Sequence, residues 1–182
     1  MVTLVRHFAQ PSMVLRDAFL DAQRDYASGD GAPDADGLTL ADLTQGTLAS
    51  YIDGTANGLF PRPGVRIGRP GAELWWVGPA TEDGNGPEVV GRLSVRHDLV
   101  PALHNRGGHL WFSIRPSRRR QGLGTELLRA ALPVAAGHGL DVVTLICAAT
   151  NTAACRTIEA VDGELDRTDE LGRRWYKLPT RP

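Results

Sequence analysis

The sequence predicts an α/β protein of the α+β layered kind, with a single mixed, mostly antiparallel sheet flanked by helices. Three observations carry this. Strand-like and helix-like runs follow one another as strand, two helices, three strands, helix, strand, helix, two strands. No shift of composition divides the 182 residues, a length that suits one domain with a substantial core. Gly and Pro together fill 33 positions, an excess that signals many loops but falls short of a low-complexity chain. One domain over 1–182 is expected, with 1–58 giving a strand and two helices and 73–178 the core.

Each element has its own reason. Val2 to Arg6 alternates and reads as a short strand. Ser12 suits an N-cap, and Met13, Val14, Leu15, Ala18, Phe19, Ala22 and Tyr26 keep helical spacing. Residues 28–37 form a polar loop. A second helix runs from Leu40 to Ala56 and closes at Asn57-Gly58. Residues 59–72, rich in Pro, Gly and Arg, read as an irregular connection. Glu73 to Gly78 and Glu88 to His97 form a hairpin around Asp83-Gly84-Asn85-Gly86. Its Trp75 and Trp76 point to opposite faces, one into the core and the other free to line a cleft. His109 to Arg115 is a third strand.

Leu123, Leu127, Leu128, Ala131, Leu132 and Ala135 then mark a helix over 122–136, with Gly137 at C′ and Pro133 kinking the last turn. Asp141 to Ala148 is the most hydrophobic strand and is expected at the centre of the sheet. Asn151 to Ala160 is a short helix ended by Asp162-Gly163. Glu164–Thr168 and Arg173–Leu178 close the chain as a hairpin.

Charge narrows the function. The net charge is −1, which argues against a general polyanion binder. The total hides a gradient: residues 1–58 carry −5, 59–129 carry +5 and 130–182 carry −1. Nineteen of the 20 basic residues are Arg, with Lys177 the one Lys. Two cysteines, Cys147 and Cys155, cannot make a disulfide scaffold or a four-thiolate metal site. Both read as packing residues. The five His have no paired i, i+4 spacing, so no metal is expected. No apolar run is long enough to span a membrane, and the N-terminus lacks a signal-peptide pattern. A cytoplasmic protein follows.

The chemistry concentrates in Ile114-Arg115-Pro116-Ser117-Arg118-Arg119-Arg120-Gln121-Gly122-Leu123-Gly124-Thr125, between a strand and a helix. Glycines let backbone N–H groups approach a ligand, and the helix N-terminus adds partial positive charge. The arginines around them reinforce an anion site. A dinucleotide fingerprint needs a third Gly where Leu127 stands, and a P-loop needs a Lys that is absent before 177. A third reading is the pyrophosphate loop of an acetyl-CoA-dependent acyltransferase.

That third reading has a family behind it. Arg119-Arg120-Gln121-Gly122-Leu123-Gly124 resembles the Arg/Gln-x-x-Gly-x-Gly/Ala motif of the GNAT superfamily of N-acetyltransferases, with Pro116 and the strand ending at Ile114 also in place. Asn151 to Gly163 resembles the superfamily's Asn-x-x-Ala/Ser…Glu-x-x-Gly helix. Gly91 to Leu99, Gly107-Gly108-His109 and Ser113-Ile114-Arg115-Pro116 are similar to a bacterial subgroup of predicted acetyltransferases.

The resemblance implies a GNAT-like fold and acetyl-CoA as cosubstrate. Backbone N–H groups from Arg119 through Arg120, Gln121, Gly122, Leu123 and Gly124 to Thr125 would hold the pyrophosphate. The strand edge at Ile114 would pair with pantetheine, and an N–H near it would stabilise the oxyanion. Asn151 would contact pantetheine or position its helix. Residues 1–58 would form the acceptor side and 73–178 the acetyl-CoA-binding core. The acceptor would be a small-molecule amine attacking directly in a ternary complex, on a monomer or homodimer.

His109 and His97 are the candidate bases, because an imidazole titrates near neutral pH. His7, His104 and His138 read as incidental. One departure stands out: Ile158 occupies the place of the superfamily's usual Tyr acid, with Tyr176 and Ser113 as substitutes. The alternative reading is therefore a CoA-binding sensor with little turnover. A nucleic-acid-binding domain is disfavoured, because no aromatics interleave with the arginines.

Overall fold

The computed structural model describes residues 6–29, 40–56, 59–62, 65–68, 71–80, 86–97, 99 and 108–181. The chain packs as two compact units, 1–93 with 113–120, and 94–112 with 121–182.

In the first unit, β1 (His7–Ala9) pairs antiparallel with β4 (Gly71–Ala80), setting Phe8 opposite Trp76. Met13–Leu15 form a 3-10 turn, and α1 (Arg16–Ser28) follows, burying Phe19, Leu20, Ala22, Gln23 and Tyr26. The predicted positions Phe19, Ala22 and Tyr26 are thus buried, whereas Met13 and Val14 are exposed in the 3-10 turn and Ser12 makes no side-chain cap bond. The second predicted helix is broken: α2 (Leu40–Asp42) and α3 (Leu48–Ala56) flank a wide turn in which Gln45 and Gly46 leave helical geometry, Gly46 at φ +105°. Glycine is the residue that takes such an angle without strain.

The core of this unit gathers Phe19, Leu43, Leu48, Tyr51, Ile52, Trp75, Val77 and Val89. The Phe19 ring stacks on Trp75 at 4.3 Å and on Tyr51 at 5.7 Å. Beside these rings lies a buried ion pair. Arg92 donates Nε to Glu73 Oε1 at 2.7 Å and Nη2 to the Tyr51 hydroxyl at 2.7 Å. Buried charges persist only when paired and hydrogen-bonded in this way.

Strands β1, β4, β5 (Pro87–Arg96) and β6 (Leu110–Ile114) form one sheet, in the order β1-β4-β5-β6. The bonds Arg96 N–H to His109 O (2.8 Å) and Arg115 N–H to Val90 O (2.9 Å) mark the two ends of the β5–β6 pairing.

In the second unit, α4 (Leu123–Gly137) buries Leu123, Leu127, Leu128, Ala131 and Ala135, the predicted stripe. Strand β7 (Val142–Ala148), helix α5 (Thr152–Glu159), β8 (Glu164–Thr168) and β9 (Arg173–Pro179) follow. The order β7-β9-β8 makes a second, three-stranded antiparallel sheet. A bridge from Gly108 to Leu145 joins the approach to β6 with β7. Gly108 sits at φ +66°, where a Cβ would fall 2.1 Å from the Thr144 carbonyl oxygen, so no side chain fits.

Several expectations are corrected. Asp141–Ala148 is not central: β9 takes the middle of its sheet, because the C-terminal strand inserts between β7 and β8. Residues 59–72 are not wholly irregular, since β2 (Leu59–Arg62) and β3 (Val65–Gly68) pair antiparallel. Among the described residues the strands pair in groups of four, three and two, and antiparallel sheets flanked by helices are the expected fold class. Gly137 ends α4 within the helix, and Gly139, at φ +79°, takes the left-handed position instead. Neither Trp75 nor Trp76 lines a cleft: both are buried, Trp76 against Phe8 at 4.5 Å. The predicted strand Val2–Arg6 falls almost wholly, and Asn57-Gly58 and His104 fall entirely, outside the described residues.

Candidate active site

Strand β6 ends at Ile114, and the chain turns into α4 through a short connection. Pro116 opens a 3-10 turn, Pro116–Arg118, where its fixed φ and missing N–H do no harm. Arg119 is extended, Arg120 adopts φ +62°, and Gly122 caps α4 at φ +77°. The first helical bond comes from Glu126 N–H to Gly122 O at 3.1 Å. The N–H groups of Leu123, Gly124 and Thr125 therefore have no acceptor within the helix. A Cβ on Gly122 would meet nothing within 4 Å, so open space lies above the cap. Arg120 is thus a non-glycine residue at positive φ, a conformation that L-residues seldom adopt.

The two glycines of the motif differ. A Cβ on Gly124 would meet Thr157 at 3.4 Å and Phe112 at 3.8 Å. Gly124 is a packing position under α5, and Gly122 alone opens toward solvent. Leu123 is core, whereas Arg119, Arg120 and Gln121 are exposed.

The arginines are not equivalent either. Arg115 is buried and meets three carboxylates: Asp25 at 2.8 Å, Asp21 at 2.9 Å and Glu88 at 3.1 Å. Arg118 pairs with Glu88 at 3.0 Å. These two charges are neutralised in place, which corrects the expectation that the whole cluster serves an anion. Burial pushes the Asp25 carboxyl up, but the Arg115 guanidinium and the Ser117 donors outweigh it and hold it below the usual carboxylate range. Arg119 donates Nε to the Ile114 carbonyl at 3.0 Å and lies over the Tyr26 ring at 6.0 Å.

His109 sits at the bridge to β7. Its N–H donates to Thr144 O at 2.7 Å, and its Nδ1 accepts from Thr144 N–H at 3.0 Å. That bond puts the proton of the neutral ring on Nε2. A base role would require His109 to give up its Thr144 partner. His97 stacks on His138 at 4.0 Å, at the C-terminal end of α4. The helix has 15 residues. At 1.5 Å each that end lies about 22 Å from the Gly122 cap.

Asn151 caps α5, its Oδ1 accepting from Ala154 N–H at 3.1 Å, so it positions the helix as one of its two expected roles requires. Ile158 is wholly buried. Tyr176 donates its hydroxyl to Glu159 at 2.7 Å, and burial pushes its pKa up. The Ser113 hydroxyl, on β6, accepts from Tyr26 at 2.9 Å. Cys147 and Cys155 lie 3.6 Å apart, and burial together with the neighbouring thiol pushes Cys147 up to about 12. A thiol so firmly protonated is a poor nucleophile near neutral pH.

Sequence reasoning missed Asp21, Asp25, Tyr26 and Glu88. The one local signal was the i, i+4 spacing of Asp21 and Asp25, which puts both carboxylates on one face of α1.

Comparison with known proteins bears on the fold and the family. The chain resembles, at 16% identity and a TM-score of 0.58, a GNAT-family acetyltransferase from Bordetella pertussis, over 95% of each chain. An acetyltransferase from Salmonella typhimurium, solved with acetyl-CoA, matches at 14% identity and a TM-score of 0.58, over 97% of this chain and 94% of that one. An aminoglycoside acetyltransferase solved with coenzyme A matches at 15% identity and a TM-score of 0.59, over 97% and 95%. No curated protein sequence matches significantly. The model of the acetyltransferase (GNAT) family matches residues 33–162, more than half of the sequence, and the chain belongs to that family.

Proposed function

We propose that this acetyltransferase moves an acetyl group from acetyl-CoA to the primary amine of a small molecule, by direct attack in a ternary complex. The observation that carries the cosubstrate is the Gly122 cap, with its left-handed backbone, open space and helix N–H groups lacking helical acceptors. Such a terminus binds phosphate through the N–H groups and the helix dipole. Arg119 and Arg120 add charge there, since Arg115 and Arg118 already face carboxylates. A backbone N–H near Ile114 would stabilise the oxyanion as the amine attacks. Direct attack fits a chain whose Cys147 stays protonated.

The ammonium must lose a proton before it attacks. His109 and His97 are the candidate imidazoles, and the Thr144 bond makes His109 the more constrained of the two. A cationic acceptor would suit the acidic 1–58 region, although Asp21 and Asp25 are already committed to Arg115. The protein would act as a monomer or homodimer in the cytoplasm, with no membrane or nucleic-acid partner.

The buried Ile158 favours a second reading, a CoA-binding sensor with little turnover. Calorimetry with acetyl-CoA, followed by an amine screen with free-thiol detection, separates the two. Binding with amine-dependent thiol release supports the transferase. Tight binding without thiol release across the panel supports the sensor, and no binding refutes both.

A further inference from the structure

Helix α1 holds the connection between β6 and α4 along much of its length. Tyr26 donates to Ser113, Asp21 and Asp25 pair with Arg115, and Asp25 Oδ2 also accepts from Ser117 N–H at 3.1 Å and Ser117 Oγ at 2.6 Å. Pro116 packs against Gly29, where an added Cβ would come within 3.0 Å of the proline ring. Asp25 is the centre of this arrangement, because one of its oxygens serves Arg115 and both Ser117 donors.

We infer that Asp25 is a positioning residue for the cosubstrate: it fixes the Arg115–Arg119 limb that continues into the Gln121–Thr125 turn, so that α1 sets the affinity for the nucleotide end of acetyl-CoA. The inference rests on the proposal that this turn takes the pyrophosphate. The arrangement has two consequences for an anion there. Arg115 and Arg118 are held by carboxylates, so phosphate oxygens meet Arg119, Arg120 and backbone N–H groups instead. The limb is also ordered before the ligand arrives, which lowers the entropy lost on binding. If Asp25 loses its charge, Arg115 keeps Asp21, which is largely exposed, and Glu88, while the oxygen that pins the 3-10 turn through Ser117 becomes a neutral, weaker acceptor.

The test compares acetyl-CoA with acetyl-pantetheine, a thioester without the pyrophosphate and nucleotide. Asp25→Asn should raise KM for acetyl-CoA about tenfold with kcat little changed, the size expected for lost charge-assisted bonds. Its kcat/KM with acetyl-pantetheine should stay within about twofold, as no affected group then meets the substrate. Asp25→Glu should recover part of the loss, and Ser117→Ala, an exposed change that leaves the fold intact, should act in the same direction more weakly. Equal losses with both thioesters, or an unchanged KM for acetyl-CoA in both Asp25→Asn and Ser117→Ala, would overturn the positioning role alone. A wild-type chain that binds no acetyl-CoA overturns the proposed function and this inference with it.

Discussion

Gly122 and Gly124 stand two residues apart in one motif and are opposite in the fold. Gly122 needs its left-handed angle and has empty space beside it, whereas Gly124 is helical and already touches Thr157 and Phe112 at ordinary distances. Gly122→Ala should therefore lower stability by about 1–2 kcal/mol, the penalty for an L-residue in that conformation. Gly124→Ala should be neutral or stabilising by up to about 1 kcal/mol, because Ala favours the helix and its methyl fits. Urea unfolding midpoints of the two variants check this, and the reverse ranking would show that crowding rather than φ governs the site. The sequence could not separate the two roles, because Thr157 and Phe112 reach Gly124 from other elements. For the same reason the pairing of Arg115 with Asp25, 90 positions apart, leaves no mark in the local sequence.

Elements with strong local patterns were legible, and the ones decided by their neighbours were not. The stripe of Leu123, Leu127, Leu128, Ala131 and Ala135 needs only 3.6-residue periodicity to announce α4. The position of β7 at a sheet margin depends on where β9 inserts, which no property of Val142–Ala148 records. The β8–β9 hairpin was predicted from its flanks, yet its turn works through one side chain. Asp169 accepts from Leu171 and Arg173 N–H, from the Arg173 guanidinium at 2.7 Å and from the Trp175 indole at 3.1 Å. Desolvation pushes its carboxyl up, but these donors outweigh it and bring it from 3.8 down to about 2. A depressed folded-state pKa stabilises above the unfolded value, and that contribution is lost as pH falls through the folded one. The hairpin should thus weaken from about pH 4 toward pH 2. Thermal melts across that range should fall more steeply for the wild type than for Asp169→Asn, which starts lower because it has no charge to lose. Parallel slopes would mean that other carboxylates dominate acid unfolding.

The total charge of −1 conceals an acidic start and a basic middle, and the structure joins part of them: Asp21 and Asp25 from the first region meet Arg115 from the second. The same joining explains why 113–120 packs with the N-terminal unit although its neighbours in sequence, Ser94–Phe112 and Gln121–Pro182, pack together. The division runs inside β5, after Leu93, and inside β6, after Phe112, so neither unit owns either strand entirely. Cutting a hydrogen-bonded strand exposes backbone groups that must then find other partners. Loss of one unit should accordingly bring down the other, and the chain should unfold as the single domain the sequence predicts. Tryptophan reports this directly, since Trp75 and Trp76 lie in one unit and Trp111 and Trp175 in the other. Phe variants that leave fluorescence from one pair at a time should give coincident denaturant transitions, the mark of two-state unfolding. Acetyl-CoA at about a hundredfold excess over its Kd should shift both probes together by about 2.7 kcal/mol. Two separated transitions, or a ligand shift confined to one pair, would show instead that the units are independent domains.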